Sequence, residues 1–208
     1  MATIKLYDKP ECPFCWKIRL ALFELGIDAE IIDSQSPEHR EEWQALTPRK
    51  TVPVLVNGDI VIYESNVILE YLNDISGQLL PKSPADRVMP RLINKYSDGV
   101  IGAGLREVIF EKRGKTESEW DLERIQSGVE QFEKALEYLS EQLGDKAFFG
   151  SDYGLPECAL TARFGLAEAY GVKIPTTYAN LKDWFERMKS RPGYLATAPQ
   201  HIIANQTL

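Results

Sequence analysis

Two apolar runs of strand length, TIKLY (3 to 7) and AEIIDS (29 to 34), flank a segment whose apolar residues recur at helical spacing, Ile18, Leu22 and Leu25, closed by Gly26. Strand, helix and strand inside about 30 residues make a βαβ unit, and chain chirality leaves it one arrangement, two parallel strands joined by a right-handed crossover. SPEHREEWQAL (36 to 46) follows, with Ser36 at an N-cap position and Pro37 at the first helical position, which predicts a short second helix. VPVLV and IVIY, separated by NGD, predict an antiparallel hairpin. SNVILEYLNDISG (65 to 77) then predicts a third helix with Ser65 at its start and Gly77 past its end.

The order β-α-β-α-β-β-α is thus complete by residue 77, and QLLPKSPADR, with two prolines, reads as a linker. Everything beyond it reads as helical. DLERIQSGVEQFEKALEYLSEQL (121 to 143) carries Ile125, Val129, Phe132, Leu136, Leu139 and Leu143 as a helical stripe, preceded by a capping-box candidate, Thr116 to Glu119. Two further helices are expected near 156 to 170 and 178 to 190. The expected organisation is α/β followed by all-α: a first domain over 1–79, a linker over 80–86 and a helical domain over 87–208.

The chain has an ordinary globular composition, 44% hydrophobic and 26% charged over 208 residues. Its 24 basic against 31 acidic side chains give a net charge of -7, which disfavours nucleic acid or an anionic membrane as the main partner. MATIKLYDKPEC lacks the basic and long apolar regions of an export signal, and no stretch approaches the roughly 20 apolar residues that span a bilayer. The expectation is a soluble cytoplasmic protein whose Cys12, Cys15 and Cys158 are reduced.

The pair in PECPFCWKIRLAL (10 to 22) therefore needs another explanation. A thiolate rather than a thiol attacks disulfides, so a reactive cysteine must lose its proton near neutral pH from an ordinary pKa of about 8.5. Cys12 falls at the N-terminus of the first predicted helix, where free amides and the macrodipole favour negative charge. The dipole alone supplies at most ~2 kcal/mol, so direct hydrogen bonds must do the rest. Pro13 has no N–H, which leaves the amides of Phe14 and Cys15 as donors. Cys15, one turn on, is either a resolving thiol or a small core hydrophobe. A zinc site would need four ligands, and beyond the pair the chain offers only Cys158, His39 and His201 without a second ligand-pair spacing. No metal is expected, and no Cys-His pair is evident.

The motifs CPFC (12 to 15), TVPVL (51 to 55) and YESNVILEYL (63 to 72), in this order ahead of a helical half, resemble the glutathione S-transferase superfamily: a thioredoxin-like domain followed by an all-helical domain. CPFC is most similar to the cysteine-type branch, which includes omega-like transferases, dehydroascorbate reductases and the long glutaredoxin. The resemblance implies glutathione as co-substrate and Cys12 and Cys15 as the catalytic candidates. It implies a cis Pro53 facing the cysteine, with the backbone of Val52 pairing with glutathione's cysteinyl unit in β-like fashion. Glu64 and Ser65 would hold the γ-glutamyl end, Ser65 with the helix amides on the carboxylate and Glu64 on the amine. Phe14 contributes its amide, and Arg40 and Lys50 stand where carboxylate-holding basic residues are expected. Tyr96, Phe110 and Trp120 are candidates for a second-substrate pocket, with core packing as the alternative.

One departure is GLPE (154 to 157), where the family places a Ser/Thr-x-x-Asp capping box; Gly154 is a weaker cap and predicts a helix start less stable by several tenths of a kcal/mol. The activity implied is glutathione-dependent thiol transfer, or disulfide or dehydroascorbate reduction, through a Cys12 thiolate, in a homodimer. Conventional conjugation is the alternative, although it asks for a Tyr or Ser that stabilises glutathione's own thiolate. A non-catalytic interaction module of the stringent-starvation type is disfavoured by the intact cysteine pair. Membrane insertion through the first helix is disfavoured by Lys17 and Arg19.

Overall fold

A computed structural model describes residues 3–200 and Ile202. The first part of the chain runs β1 (Ile4–Asp8), α1 (Pro13–Glu24), β2 (Ala29–Asp33), α2 (Pro37–Ala45), β3 (Val54–Asn57), β4 (Ile60–Tyr63) and α3 (Ser65–Ser76). Its four strands are ordered β2-β1-β3-β4, with β1 and β2 parallel and the other two pairings antiparallel. The register Asn57↔Ile60 closes the hairpin through Gly58, whose φ of 61° is the left-handed conformation a two-residue turn demands.

Alternation along the strands divides the core. Leu6, Leu55, Ile68, Leu69 and Leu72 join the main core with Ile18 and Leu22 of α1, while Tyr7, Ile32, Trp43 and Val54 form a smaller cluster with α2. Each fully buried aliphatic side chain here contributes about 1.5–3 kcal/mol.

The second part is helical: α4 (Val88–Tyr96), a π-helical turn (Ser97–Ile101), α5 (Gly102–Lys112), α6 (Leu122–Leu143), α7 (Leu155–Ala169), α8 (Ala179–Lys189) and α9 (Pro192–Thr197). α5 and α6 cross at backbone contact: a Cβ on Gly104 would lie 2.7 Å from the Gly128 carbonyl oxygen, and one on Gly128 2.7 Å from that of Gly104. Close packing is therefore the use of Gly104. Gly99 meets nothing within 4 Å.

Three local expectations change. Thr116 and Glu119 do form a capping box, but it starts a short 3₁₀ turn (Glu117–Glu119), and α6 is capped instead by Asp121, which accepts from the Arg124 amide at 3.0 Å. Glu64, not Ser65, is the N-cap of α3. At the start of α7 the glycine answers to space: Gly154 is extended, and a Cβ there would lie 2.5 Å from the Leu79 carbonyl oxygen, to which the Leu155 amide donates at 3.2 Å.

The two parts meet through Trp16. Its indole donates to Thr197 at 3.0 Å, stacks obliquely on Tyr194, and presses on α7 where a Cβ at Gly165 would come within 2.5 Å.

Candidate functional site

Cys12 is the N-cap of α1, in extended conformation (φ -84°, ψ 119°), with Pro13 at the first helical position and no side-chain cap. The Cys15 and Trp16 amides donate to the Cys12 carbonyl at 3.1 and 2.8 Å, and the Cys12 sulfur makes no capping hydrogen bond. The Cys12 thiol is held down to about 6, first by the hydrogen bond from the Cys15 thiol, then by the Cys15 and Phe14 amides, with the charge of Arg163 adding and burial opposing. Cys15 is wholly buried and pushed well up, by burial first and by its bond to Cys12 second. The pair therefore divides into an acid and a donor. Cys158, also buried, is driven upward by burial and touches Tyr153.

Beside α1 lies a cavity of about 380 Å³, lined by Phe14, Val52, Pro53, Glu64 and Ser65, with Arg49, Thr51, Asn66, Lys95, Asp98 and Gly99 completing it. Three elements converge on it: the turn opening α1, the Val52–Pro53 peptide, which is cis, and the start of α3. Glu64 has φ 67°, a conformation unfavourable for a non-glycine residue and held here between β4 and α3. It makes no side-chain cap, so the first-turn amides of α3 have no carboxylate over them from Glu64. Its carboxylate pairs instead with Arg49 at 3.0 Å.

The cavity sets two cations, Arg49 and Lys95, and two carboxylates, Glu64 and Asp98, beside the helix amides of α3, a combination suited to a zwitterion. Of the two basic candidates from sequence, Arg40 is exposed on α2 and Lys50 is exposed with φ 50°; neither lines the cavity, and Arg49 does. A larger groove of about 950 Å³, lined among others by Asp8, Arg19, Phe23 and Pro199, lies elsewhere and reaches neither Cys12 nor Cys15.

Behind Phe14 lies an ion cluster that sequence reasoning missed. Lys17, 1% exposed, donates to Asn66 at 2.6 Å and to Asp98 at 2.8 Å. Arg163 reaches the other oxygen of Asp98 at 3.4 Å and lies 4.5 Å from the centre of the Phe14 ring. Asp98 is carried by the π-helical turn, a distortion that commonly marks a functional position. A signal did exist: Arg163 is alone in the uncharged run from Cys158 to Ala167. The aromatic candidates do not gather at the site. Tyr96 donates to the Ala135 carbonyl at 3.2 Å and stacks on Tyr138, Trp120 lies under Lys112, and Phe110 is 57% exposed.

His39 lies near Glu38 and Glu42 on α2, and His201 falls outside the described residues. Among the described residues no three His, Cys, Asp or Glu side chains gather as metal ligands, and no helix is long and apolar enough to cross a membrane.

Comparison with known proteins places two family domains on this chain, the glutathione S-transferase N-terminal domain over residues 11–75 and the glutathione S-transferase C-terminal domain over residues 106–192. A probable glutathione S-transferase of Nicotiana tabacum is 30% identical over 194 residues, covering 88% of this chain and 82% of that one. The maleylacetoacetate isomerase of Mus musculus is 30% identical over 176 residues, covering 81% and 79%. Among solved structures, a theta class glutathione S-transferase from Xanthomonas axonopodis pv. citri with glutathione bound superposes with a TM-score of 0.84 at 21% identity, over 95% of this chain and 98% of that one. That similarity is one of fold.

Proposed function

The chain belongs to the glutathione S-transferase family, and from that premise we propose that it is a glutathione-dependent enzyme of the cysteine type, transferring thiols through a Cys12 thiolate. The observation that carries the reading is Cys12 at the start of α1, its thiol held down to about 6, with the cavity of about 380 Å³ opening at its neighbour Phe14. In the first half-reaction the Cys12 sulfur attacks the glutathione-side sulfur of a mixed disulfide, forming Cys12–S–SG and expelling the partner as a thiolate. In the second, a glutathione thiolate attacks the same glutathionyl sulfur, giving glutathione disulfide and restoring the Cys12 thiolate.

Cys15 serves this cycle as a hydrogen-bond donor. Burial is the first cause of its raised pKa, and burial persists when Cys12 carries glutathione, so Cys15 remains a poor nucleophile. Dehydroascorbate reduction would use the same thiolate. Conjugation would need a donor to glutathione's own thiolate, and a cysteine in that place forms a disulfide with it instead.

Glutathione is read into the cavity with Val52 and the cis Pro53 along its cysteinyl unit, the Ser65 and Asn66 end of α3 on its γ-glutamyl carboxylate, and Glu64 on the amine. Arg49 takes the part that sequence offered to Lys50 or Arg40. Residues 1–79 form the glutathione-binding half, 80–86 the linker and 87–208 the second half, in a cytoplasmic homodimer.

The test is glutathione-dependent reduction of a small mixed disulfide by wild type, Cys12→Ser and Cys15→Ser. Loss with Cys12→Ser and retained turnover with Cys15→Ser is the expected result. Loss with both would make Cys15 a resolving thiol, and an inactive wild type that still binds glutathione would overturn thiol transfer in favour of conjugation.

A further inference from the structure

Burying an ion pair is tolerable when charges balance; leaving a charge over is costly unless a further counter-ion stands by. The cluster behind Phe14 does not balance by itself. Lys17 and Arg163 are both buried and share one carboxylate, Asp98, which is closer to Lys17 (2.8 Å) than to Arg163 (3.4 Å). The guanidinium has five N–H donors and, among the described residues, that one long bond to a carboxylate. It is sandwiched between the Phe14 ring, 4.5 Å away, and Gly102, where a Cβ would come within 2.8 Å of its central carbon. Gly102 thus leaves the room that Arg163 occupies. Phe14 is the middle of the Cys12–Cys15 turn, so the unbalanced cation lies directly against the segment that carries the reactive sulfur.

We propose that Arg163 is a positioning residue whose buried guanidinium is the counter-ion of the Cys12 thiolate, with Lys17 and Asp98 holding it in place. The inference rests on the reading of Cys12 as a thiolate nucleophile. Other charged groups near the cluster are Arg106 on α5, which is mostly exposed and near Glu107, and Lys95 on α4, which lines the cavity with Phe14 and Asp98; Asp8 on β1, paired with Arg19, faces Cys15. None of these balances Arg163. The same cation suits both half-reactions: when a glutathione thiolate displaces glutathione from Cys12, the negative charge moves from the incoming sulfur to Cys12 and does not leave the neighbourhood of the guanidinium. A neutral Cys12–S–SG leaves the cluster one positive charge in excess, which favours arrival of the second, anionic glutathione sulfur.

The test is the pH profile of Cys12 alkylation by iodoacetamide, read on the peptide that contains it, in wild type, Arg163→Met, Arg163→Lys and Asp98→Asn, with thermal stability recorded beside it. An opposite charge at close range moves a thiol by about one to three pH units, so Arg163→Met is expected to raise the midpoint by about one unit and to slow alkylation at pH 6 roughly fivefold, with no change at pH 9. Arg163→Lys restores the midpoint to near wild type, and Asp98→Asn, which frees the cations, lowers it. Should Arg163→Met not fold, the opposite shift in Asp98→Asn decides. A midpoint near 6 that all folded variants share, with only stability lost, overturns the inference and leaves Cys12 as the nucleophile. A wild-type midpoint near 8.5 overturns both.

Discussion

α1 and α7 begin alike and end up with opposite chemistry. Each has a proline in its first turn and a cysteine at or near the cap, Cys12–Pro13 in α1 and Pro156–Glu157–Cys158 in α7, and neither N-cap side chain closes the helix. At α1 the neighbouring Cys15 and Phe14 amides help hold the Cys12 thiol down, and Phe14 lines a cavity. At α7 the first turn packs against the Leu79 backbone, and the amides of Phe149 and Gly154 donate instead to the buried Glu157 at 2.8 and 3.0 Å. The Cys158 thiol behind them is neutral and shielded. Two similar helix starts thus shift their acids in opposite directions: the Cys12 thiol is held down to about 6, and burial pushes the Glu157 carboxyl up to about 7.

The sharpest break in this comparison is chemical. Cys12→Ser is expected to lower glutathione-dependent disulfide reduction by at least about 10³-fold, since serine does not ionise in the accessible range, whereas Cys158→Ala leaves turnover within about twofold; both are read by steady-state kinetics. Next comes Glu157, pushed up to about 7 chiefly by burial. A carboxyl raised in the folded state binds its proton more tightly there than in the unfolded chain. Its contribution to stability is therefore full below about 4.5 and is lost as pH rises through about 7, a change of about 3 kcal/mol. Urea unfolding of wild type and Glu157→Gln from pH 4.5 to 8.5 should show wild type losing ground by that amount, and a constant difference between the two would refute it.

Gly154→Ala should cost about 2 kcal/mol, from a Cβ driven against the Leu79 carbonyl and not from backbone strain, as φ is -157°; a gain in stability from the better helix former would contradict the packing argument. The smallest effect is expected at Cys15→Ala, which removes the first of the bonds that hold the Cys12 thiolate. The alkylation midpoint should rise by about one pH unit, the worth of one hydrogen bond to a charged group, with activity retained at pH 8.

Most of the fold is legible because its signals are local. NGD turns a hairpin through Gly58, Pro13 and Pro37 open helices, and Gly77 closes α3 with φ 69°. The position of Cys12 is legible for the same reason, since C-P-x-C places it at a helix start, where the structure has it as the N-cap of α1. What sequence misses depends on distant partners. Gly154 reads as a poor cap until Leu79 is seen above it. Lys50 and Arg49 are adjacent, and only the backbone turn at Lys50, φ 50°, decides which side chain meets the cavity. Arg163 and Asp98 are 65 residues apart, and no spacing rule joins them to each other or to Phe14.

Trp16 carries a consequence for how the molecule comes apart. It belongs to the helix that opens at Cys12, yet it is fully buried and meets residues of the second part, Gly165, Tyr194 and Thr197. A chain that looks divisible at its proline-rich connection is therefore expected to melt as one cooperative unit. The first 79 residues expressed alone would present a bare indole and a loosened α1 to water, so thermodynamic autonomy of that half is the property this fold has given up in order to hold its sulfur still.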